Sequence, residues 1–417
     1  MDFLTQKVLD RQKEIYKWIR NSECMRELPL YSSVDIRDSG FKMAVVDTNL
    51  FPAGFNNICS HGIAGATLFI KKAISKRVSP GKDILIIAEE HTRNTWYLEN
   101  IRVLKEIIEL AGYNVTIATF LTVQPNFCEN ANAVELLTAT GKPIKIYCFK
   151  KILAEIKTGN RKFDLIILNN DLTSGVPDIL RESDIPIYPS LQAGWHVRSK
   201  FEHFKHNYGL IEQFSKIIDV DPWLLTCLDD VVRDININDE ADRMRMMGHV
   251  EKLFEKIEKK YNEYDIKEKP YIILKSDSGT YGMGVVPIEN PKDILNLNRK
   301  NRNNLFKGKS AKITDRYILQ EGISTKYHIN QEISEVCIYQ IDNNLIGGFY
   351  RSHGAKTNRD NLNSKGMNFK TMCPHLRKYG DCGVHHDMNI FDVYRLLGRI
   401  AGIAAHHEVL HLEGLKK

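Results

Sequence analysis

The stretch YIILKSDSGTYGMGVVPI, residues 271–288, carries the densest chemical signal in the chain. Gly279, Gly282 and Gly284 fall within six residues, Lys275 precedes them, and apolar β-branched runs flank both sides. Glycines let backbone N–H groups approach phosphate oxygens, and a lysine adds a compact positive charge. Three familiar phosphate loops do not fit. A P-loop places its lysine directly after the glycines. A dinucleotide fingerprint runs G-x-G-x-x-G into a helix, whereas here the order is reversed and VVPI reads as a strand, Pro287 being disfavoured inside a helix. A protein-kinase loop keeps its lysine on the following strand, and Lys275 lies on the preceding one. What remains is a strand–loop–strand flap with a cation at its entrance, or a glycine-rich hairpin turn with a solvated lysine.

Two further motifs have metal-ligand residue types. His407, Glu408 and His411 form H-E-x-x-H, with Gly414 at the metzincin spacing. The third metzincin ligand would fall on Lys417, and a catalytic zinc needs three protein ligands. A helix face with satisfied histidines is therefore expected rather than a zinc peptidase. Cys373, His375, Cys382 and His385 could surround a tetrahedral ion, but their spacing is irregular, so a loop with ordinary thiols is expected.

The elements that must position these residues follow from periodicity. At 417 residues the chain is too long for one typical core, and two or three units are expected. Hydrophobic residues make up 43% and charged residues 26%, as in soluble globular proteins. A net charge of +6 is too mild to imply nucleic acid, and no apolar run reaches a membrane span. The N-terminus reads as a charged amphipathic helix rather than a signal peptide, and eight scattered cysteines do not look like a disulfide framework, so a cytoplasmic location is expected. From about residue 40 to 195, strands such as KMAVVDTN, KDILIIAEE and FDLIILNND alternate with helical stretches, which predicts an α/β layer fold with ligands beyond the strand ends. Those ends carry Asp47, Asn49, Glu89, Glu90, His91, Arg93, Asn169, Asn170 and Asp171. Residues 205–265 turn helical and charged. The basic run 299–316 reads as a solvated loop over an anionic ligand rather than a nucleic-acid surface, having no aromatic beyond Phe306 to stack bases. EVCIYQIDNNLIGGFYRSHG reads as a hairpin around Asp342, Asn343 and Asn344 that delivers Arg351 at the end of its second strand.

A phosphate flap, a strand reaching a hinge and a hairpin ending in arginine, in that order, resemble the ATP-grasp ligases. RSHGAKTNRDNLNSKG resembles the glutathione-synthetase pattern through Arg351, Asn361, Leu362 and Gly366. SVDIRDSGFKMAVVDTNLFPAGFNNI and GGFYRSHG…NLNSKGMNF are similar to the proteobacterial glutamate–cysteine ligase family, distinct from the enterobacterial type, over roughly residues 30–400. This resemblance implies an α/β fold, α+β in its C-terminal half. It implies an N-terminal open-sheet domain over 1–198, a helical segment with a flap lid over 199–318, and a C-terminal ATP-grasp-like domain over 319–417. It implies ATP and Mg²⁺ as cofactors, L-glutamate and L-cysteine as substrates, and γ-glutamylcysteine as product; homo-oligomerisation stays open. Another ATP-grasp ligase such as a glutathione synthetase is the alternative, with a zinc hydrolase or an RNA-binding protein more remote.

Under the resemblance, Lys200, Lys275 and Arg351 are the catalytic cations. ATP would meet Lys200, Lys275, Ser278, Gly279, Thr280, Tyr281, Gly282 and Gly284, with Gln320, Glu321 and Gly322 as the adenine hinge. Asp47 suits an α-ammonium and Arg93 a carboxylate. Asn49, Asn56, Asn57, Arg198, Asn361 and Asn363 complete the substrate set. The usual magnesium signature is missing, and Glu321, Glu335 and Asn363 stand in as metal ligands.

Overall fold

The computed structural model describes residues 2–23, 28–90, 93–120, 132–278, 284–306, 314–373 and 388–414. Three sheets carry the chain, joined and covered by helices, and the α/β class expected from the alternating pattern is what they form.

The first sheet uses strands from both ends of the sequence. β1 (Tyr31–Asp38) and β2 (Met43–Asn49) form an antiparallel pair, and β1 also pairs with a strand from the far end of the chain. The other five- and six-residue runs of the N-terminal half, β3 (Asp83–Ala88), β4 (Asn114–Thr119), β5 (Ala133–Leu137), β6 (Pro143–Cys148), β7 (Leu165–Asn169) and the short β8 (Ile187–Tyr188), make a second sheet in the order β5-β6-β4-β3-β7-β8. It is parallel except for edge strand β5. β3 and β7 are apolar almost throughout because helices cover both faces, as parallel sheets require. The third sheet holds β9 (Asp229–Val232), β10 (Ile272–Ser276), β11 (Val285–Ile288) and β12 (Tyr317–Glu321) in the antiparallel order β11-β10-β12-β9. The long helix Glu240–Glu263 lays Met246, Val250, Leu253 and Ile257 against it at helical spacing.

β13 (Tyr327–Ile329), β14 (Glu332–Ile341), β15 (Asn344–His353) and β16 (Asn368–Met372) complete the first sheet, whose order is β16-β15-β14-β1-β2 with β13 beside β14. The expected hairpin is present. Ile341 pairs with Asn344, and the two residues between, Asp342 and Asn343, both have positive φ, the turn whose twist matches the strands. The C-terminal helix Met388–Gly414 packs closely over this sheet. At Gly402 a Cβ would stand 2.0 Å from Oδ1 of Asn343, so only glycine admits the turn there.

Four features differ from the sequence-based expectation. KMAVVDTN belongs to the antiparallel first sheet and not to the parallel one, because β2 pairs with β1, and β1 in turn with β14. Residues 299–306 of the basic run form a helix, not a loop. Cys148 is disulfide-bonded, while Cys59, Cys227, Cys337 and Cys373 are thiols. The sheets also draw strands across the expected bounds at 198 and 318: β1 pairs with β14, and β12 spans 317–321.

Candidate active site

The first and third sheets face each other across a cavity, and charged side chains from both point into it. On the first sheet, alternation places Asp35 and Arg37 on one face of β1. Asp47 is the direct cross-strand partner of Asp35, and Glu335 of Arg351. Between Asp47 and Val45 the β1–β2 register slips by one residue, so Val46 is extra. This bulge leaves the Val46 carbonyl off the ladder. Lys275 of β10 takes it, its Nζ donating to Val46 O at 2.9 Å and to Oε1 of Gln320 at 2.6 Å.

The helix Lys200–Ile218 brings the second lysine. Its N-cap, Ser199, accepts from the Glu202 N–H and donates to both oxygens of Asp277, just after β10, at 3.0 and 2.8 Å. The Lys200 N–H donates to the Asp277 carbonyl at 2.8 Å, so helix start and flap entrance are fixed to one another. Lys200 Nζ donates to Oδ1 of Asp47 at 2.7 Å and sits 4.5 Å from the Trp195 ring.

These cations set the charge states. Desolvation alone would raise the Asp47 carboxyl, but the Lys200 and Lys275 ammonium groups outweigh it and pull it down to about 2. Burial pushes Lys275 down to about 8, against the opposing pull of Asp47. Arg351 donates to Oδ2 of Asp35 at 2.9 Å and to Oε1 of Glu335 at 2.7 Å, and these carboxylates outweigh its burial and hold it charged. Glu335 accepts a second arginine, Arg37, at 2.5 Å; burial opposes ionisation there, and Arg37 and Arg351 hold the carboxyl below its ordinary range.

The cavity between the sheets is lined by Asp35, Arg37, Asp47, Lys200, Lys275, Ser278, Gln320, Glu335, Arg351, Arg359, Asn361 and Asn363, among others. A second cavity of about 620 Å³ adjoins it. Asn49, Asn56, Asn57, Trp195, Tyr339 and Phe369 contribute to its wall. Asp35, Asp47, Arg351 and Asn363 belong to both walls.

The residues singled out from sequence separate accordingly. Lys200, Lys275, Arg351, Asp47, Ser278, Gln320, Glu335, Asn361 and Asn363 meet in the first cavity, and Asn49, Asn56 and Asn57 in the second. Gly279, Thr280, Tyr281 and Gly282 lie outside the described residues, as do His375, Cys382 and His385. Gly284 closes the flap with a positive φ, and a Cβ there would stand 2.8 Å from the Asn304 carbonyl oxygen. Arg93 is exposed and in neither wall. Arg198 is also in neither wall: its guanidinium donates to Glu408 at 2.9 and 2.8 Å, and Ser199 N–H donates to the other Glu408 oxygen at 3.0 Å. Glu408 thus anchors the start of the Lys200–Ile218 helix rather than serving a metalloprotease, and His407 and His411 pack near His206.

Glu321 contributes to the first wall, but its carboxylate is engaged by Lys42 Nζ at 2.8 Å, Trp223 Nε1 at 3.1 Å and Leu228 N–H at 3.0 Å. In the expected hinge, Glu321 N–H donates to Leu228 O and Gly322 N–H to Tyr271 O. Magnesium takes hard oxygen donors, often one or two carboxylates plus phosphates. Glu321 and Glu335 have their oxygens on buried cations; Asp35 shares its carboxylate with Arg351, but it lies with Asn363 where the two cavities meet, and its remaining lone pairs beside the Asn363 amide oxygen are donor chemistry that fits Mg²⁺. Asp35, Arg37, Trp195, Tyr271 and Arg359 were not singled out by sequence reasoning; the Asp-x-Arg alternation within SVDIRDSG is the signal that could have found two of them.

A model of the glutamate-cysteine ligase family matches residues 5–409 of the chain. The chain belongs to that family. A crystal structure from Methylobacillus flagellatus KT, of a protein described provisionally as a gamma-glutamylcysteine synthetase, is 34% identical; the match covers 98% of this chain and 96% of that one, with a TM-score of 0.84. D-alanyl-alanine synthetase A from Vibrio cholerae O1 biovar eltor str. N16961 is 10% identical over 77% of this chain and 81% of its own, and at a TM-score of 0.33 the likeness carries no weight. Comparison with curated protein sequences gives no match. The chain is an enzyme of glutathione synthesis that joins glutamate to cysteine, and ligases of this family depend on ATP. No described helix is long and apolar enough to cross a membrane.

Proposed function

We propose that the two adjoining cavities divide this reaction, nucleotide in the first and amino acids in the second, with the γ-phosphoryl group passing between them. A carboxylate does not react with an amine at neutral pH, because oxide is a poor leaving group. Transfer of the γ-phosphoryl group of ATP to the γ-carboxylate of glutamate gives an acyl phosphate and ADP. The cysteine amine then attacks the acyl carbon, phosphate leaves, and the amine proton is lost, giving γ-glutamylcysteine.

Such a transfer asks the protein for position and charge. Lys275 and Lys200 face the phosphates. As Lys200 turns to a phosphate it releases Asp47, whose carboxylate then suits the α-ammonium of the amino acid. Arg351, always charged and held between Asp35 and Glu335, presents N–H donors to the transferring phosphoryl group and then to the tetrahedral oxyanion. Asn49, Asn56 and Asn57 supply neutral hydrogen bonds to glutamate. Asp35 and Asn363 would hold Mg²⁺, which would supply positive charge to offset that of the phosphates.

The observation that carries this reading is the set of four residues shared by the walls, Asp35, Asp47, Arg351 and Asn363. The test is phosphate release with ATP, Mg²⁺, glutamate and cysteine, with γ-glutamylcysteine followed by mass spectrometry. Release should require both amino acids. Turnover with glycine and γ-glutamylcysteine, but not with glutamate and cysteine, would make the protein a glutathione synthetase and overturn the proposal.

A further inference from the structure

Beyond the two cavities, the described residues contain one group of three soft metal donors. Cys59 Sγ, a ring nitrogen of His61 and Cys373 Sγ all lie within 4.8 Å of one another. Cys59 is the N-cap of the helix Ser60–Ser75, and its sulfur accepts the Gly62 N–H at 3.3 Å. His61 follows on the first turn. This turn is pressed against β15: a Cβ on Gly62 would stand 2.2 Å from the carbonyl oxygen of Ile346. Cys373 directly follows edge strand β16, and Thr371 on that strand donates to the Asn57 carbonyl at 3.3 Å. Both sulfurs are buried, and none of the three residues belongs to either cavity wall.

We propose that Cys59, His61 and Cys373 bind one zinc ion, these three being its ligands among the described residues. Two thiolates and an imidazole are a zinc donor set, and magnesium, which takes oxygens, would not compete for it. Zinc bonds of about 2.3 Å to sulfur and about 2.0–2.1 Å to nitrogen place tetrahedral donors roughly 3.5–3.8 Å apart, so the group need close by no more than about 1 Å on binding. The Gly62 N–H then remains as an outer bond to a coordinated sulfur. Binding exchanges two thiol protons for the ion and needs no redox partner. The site shares only Cys373 with the Cys373–His375–Cys382–His385 spacing read from sequence.

Its position gives the ion a task. The segment before Cys59 carries Asn56 and Asn57, and the strand before Cys373 carries Asn368 and Phe369; all four line the second cavity. Zinc would clamp these two parts of the wall together from outside.

The full-length protein, passed through gel filtration in metal-free buffer, should carry about one zinc per chain by mass spectrometry of the metal. Exchanged with cobalt(II), it should show a thiolate-to-cobalt charge-transfer band. Cys59→Ser and Cys373→Ser should each lose the zinc and weaken or abolish the band, while Cys227→Ser, a buried thiol elsewhere, should keep both. No thiolate band in the wild-type protein overturns the proposal, whether or not the serine variants fold. So does zinc or an undiminished band retained in both serine variants, or a Cys59–Cys373 disulfide in peptide maps of protein purified under reductant.

Discussion

Burial leaves Lys275 near its titration point, and this makes the charge at the flap entrance testable by pH alone. Its side chain is buried, with Nζ tied to Val46 O and Gln320 Oε1 and brought down to about 8. At that value about 0.9 of the ammonium is protonated at pH 7 and about 0.1 at pH 9. If the charge meets the triphosphate, kcat/KM for ATP should fall about tenfold between these pH values, since this ratio follows the free enzyme. Lys275→Arg should abolish the alkaline limb, because a guanidinium stays charged, while lowering the plateau through its different shape. Asp229, which burial and neighbouring Asp230 push up to about 7, also titrates nearby. Asp229→Asn should leave the alkaline limb in place.

The same residue has a stability signature of definite sign. Its folded value of about 8 lies below the ordinary 10.5, so between them the unfolded chain binds more protons and stability rises with pH. Below pH 8 both states are charged and the cost of the buried ammonium is fully present, about 3 kcal/mol. Lys275→Met removes that cost but orphans the Val46 and Gln320 acceptors, worth about 1–3 kcal/mol each. Near-neutral stability in urea melts at pH 7 is expected, with kcat down by about 10²–10³. A pH profile flat to 9.5, or a Met variant with wild-type turnover, would refute this account of Lys275.

Arg351→Lys should keep most ATP affinity by calorimetry yet lose amide synthesis, since one ammonium cannot span Asp35, Glu335 and a phosphoryl group; synthesis at wild-type rate would reject the role. It is preferred to Arg351→Ala, which would leave Asp35 and half of Glu335 uncompensated and cost about 3–5 kcal/mol in folding. Glu408→Gln should lower stability by about 3 kcal/mol in denaturant melts by stripping Arg198 of its buried partner, with metal content unchanged. Peptidase activity lost in that variant would contradict this. Lys42 and Glu321 are fully buried partners, so either single change, Lys42→Met or Glu321→Gln, should cost about 3–5 kcal/mol, and the double variant should recover much of it. Additive losses in the double-mutant cycle would show that the pair is not coupled.

What was legible in the sequence was local. The glycines and Lys275 define a strand–turn–strand over about eighteen residues, and β10 and β11 pair with Lys275 opposite Val285. Asp342 and Asn343 adopt positive φ at the turn where their side chains favour it. Asp47 was visible as a polar residue ending an apolar strand, but not the sheet it sits in. Its partner Asp35 is nearby in sequence, whereas the strand that completes the face, with Glu335, lies some 300 residues away. A short apolar run does not encode its partner; packing decides it, here through Val34, Ile36, Val336 and Ile338 in one core. The polar ends of the parallel sheet show the converse. Glu89, Asn169, Asn170 and Asp171 have residue types that suit a ligand, yet Glu89 accepts the Asp171 N–H at 2.8 Å, Asn169 donates to Pro52 O at 3.1 Å and Asn170 to Ala88 O at 3.3 Å. Buried loop backbone needs partners, and these side chains supply them. Arg198 and Glu408 follow the same logic: a charge pattern that reads as catalysis in one dimension becomes a brace once each buried ion has met its counter-ion. The cations at the cavity differ in kind. Lys275 is held by neutral acceptors and Lys200 by a carboxylate that remains 39% exposed, so both keep charge that an anionic ligand can claim.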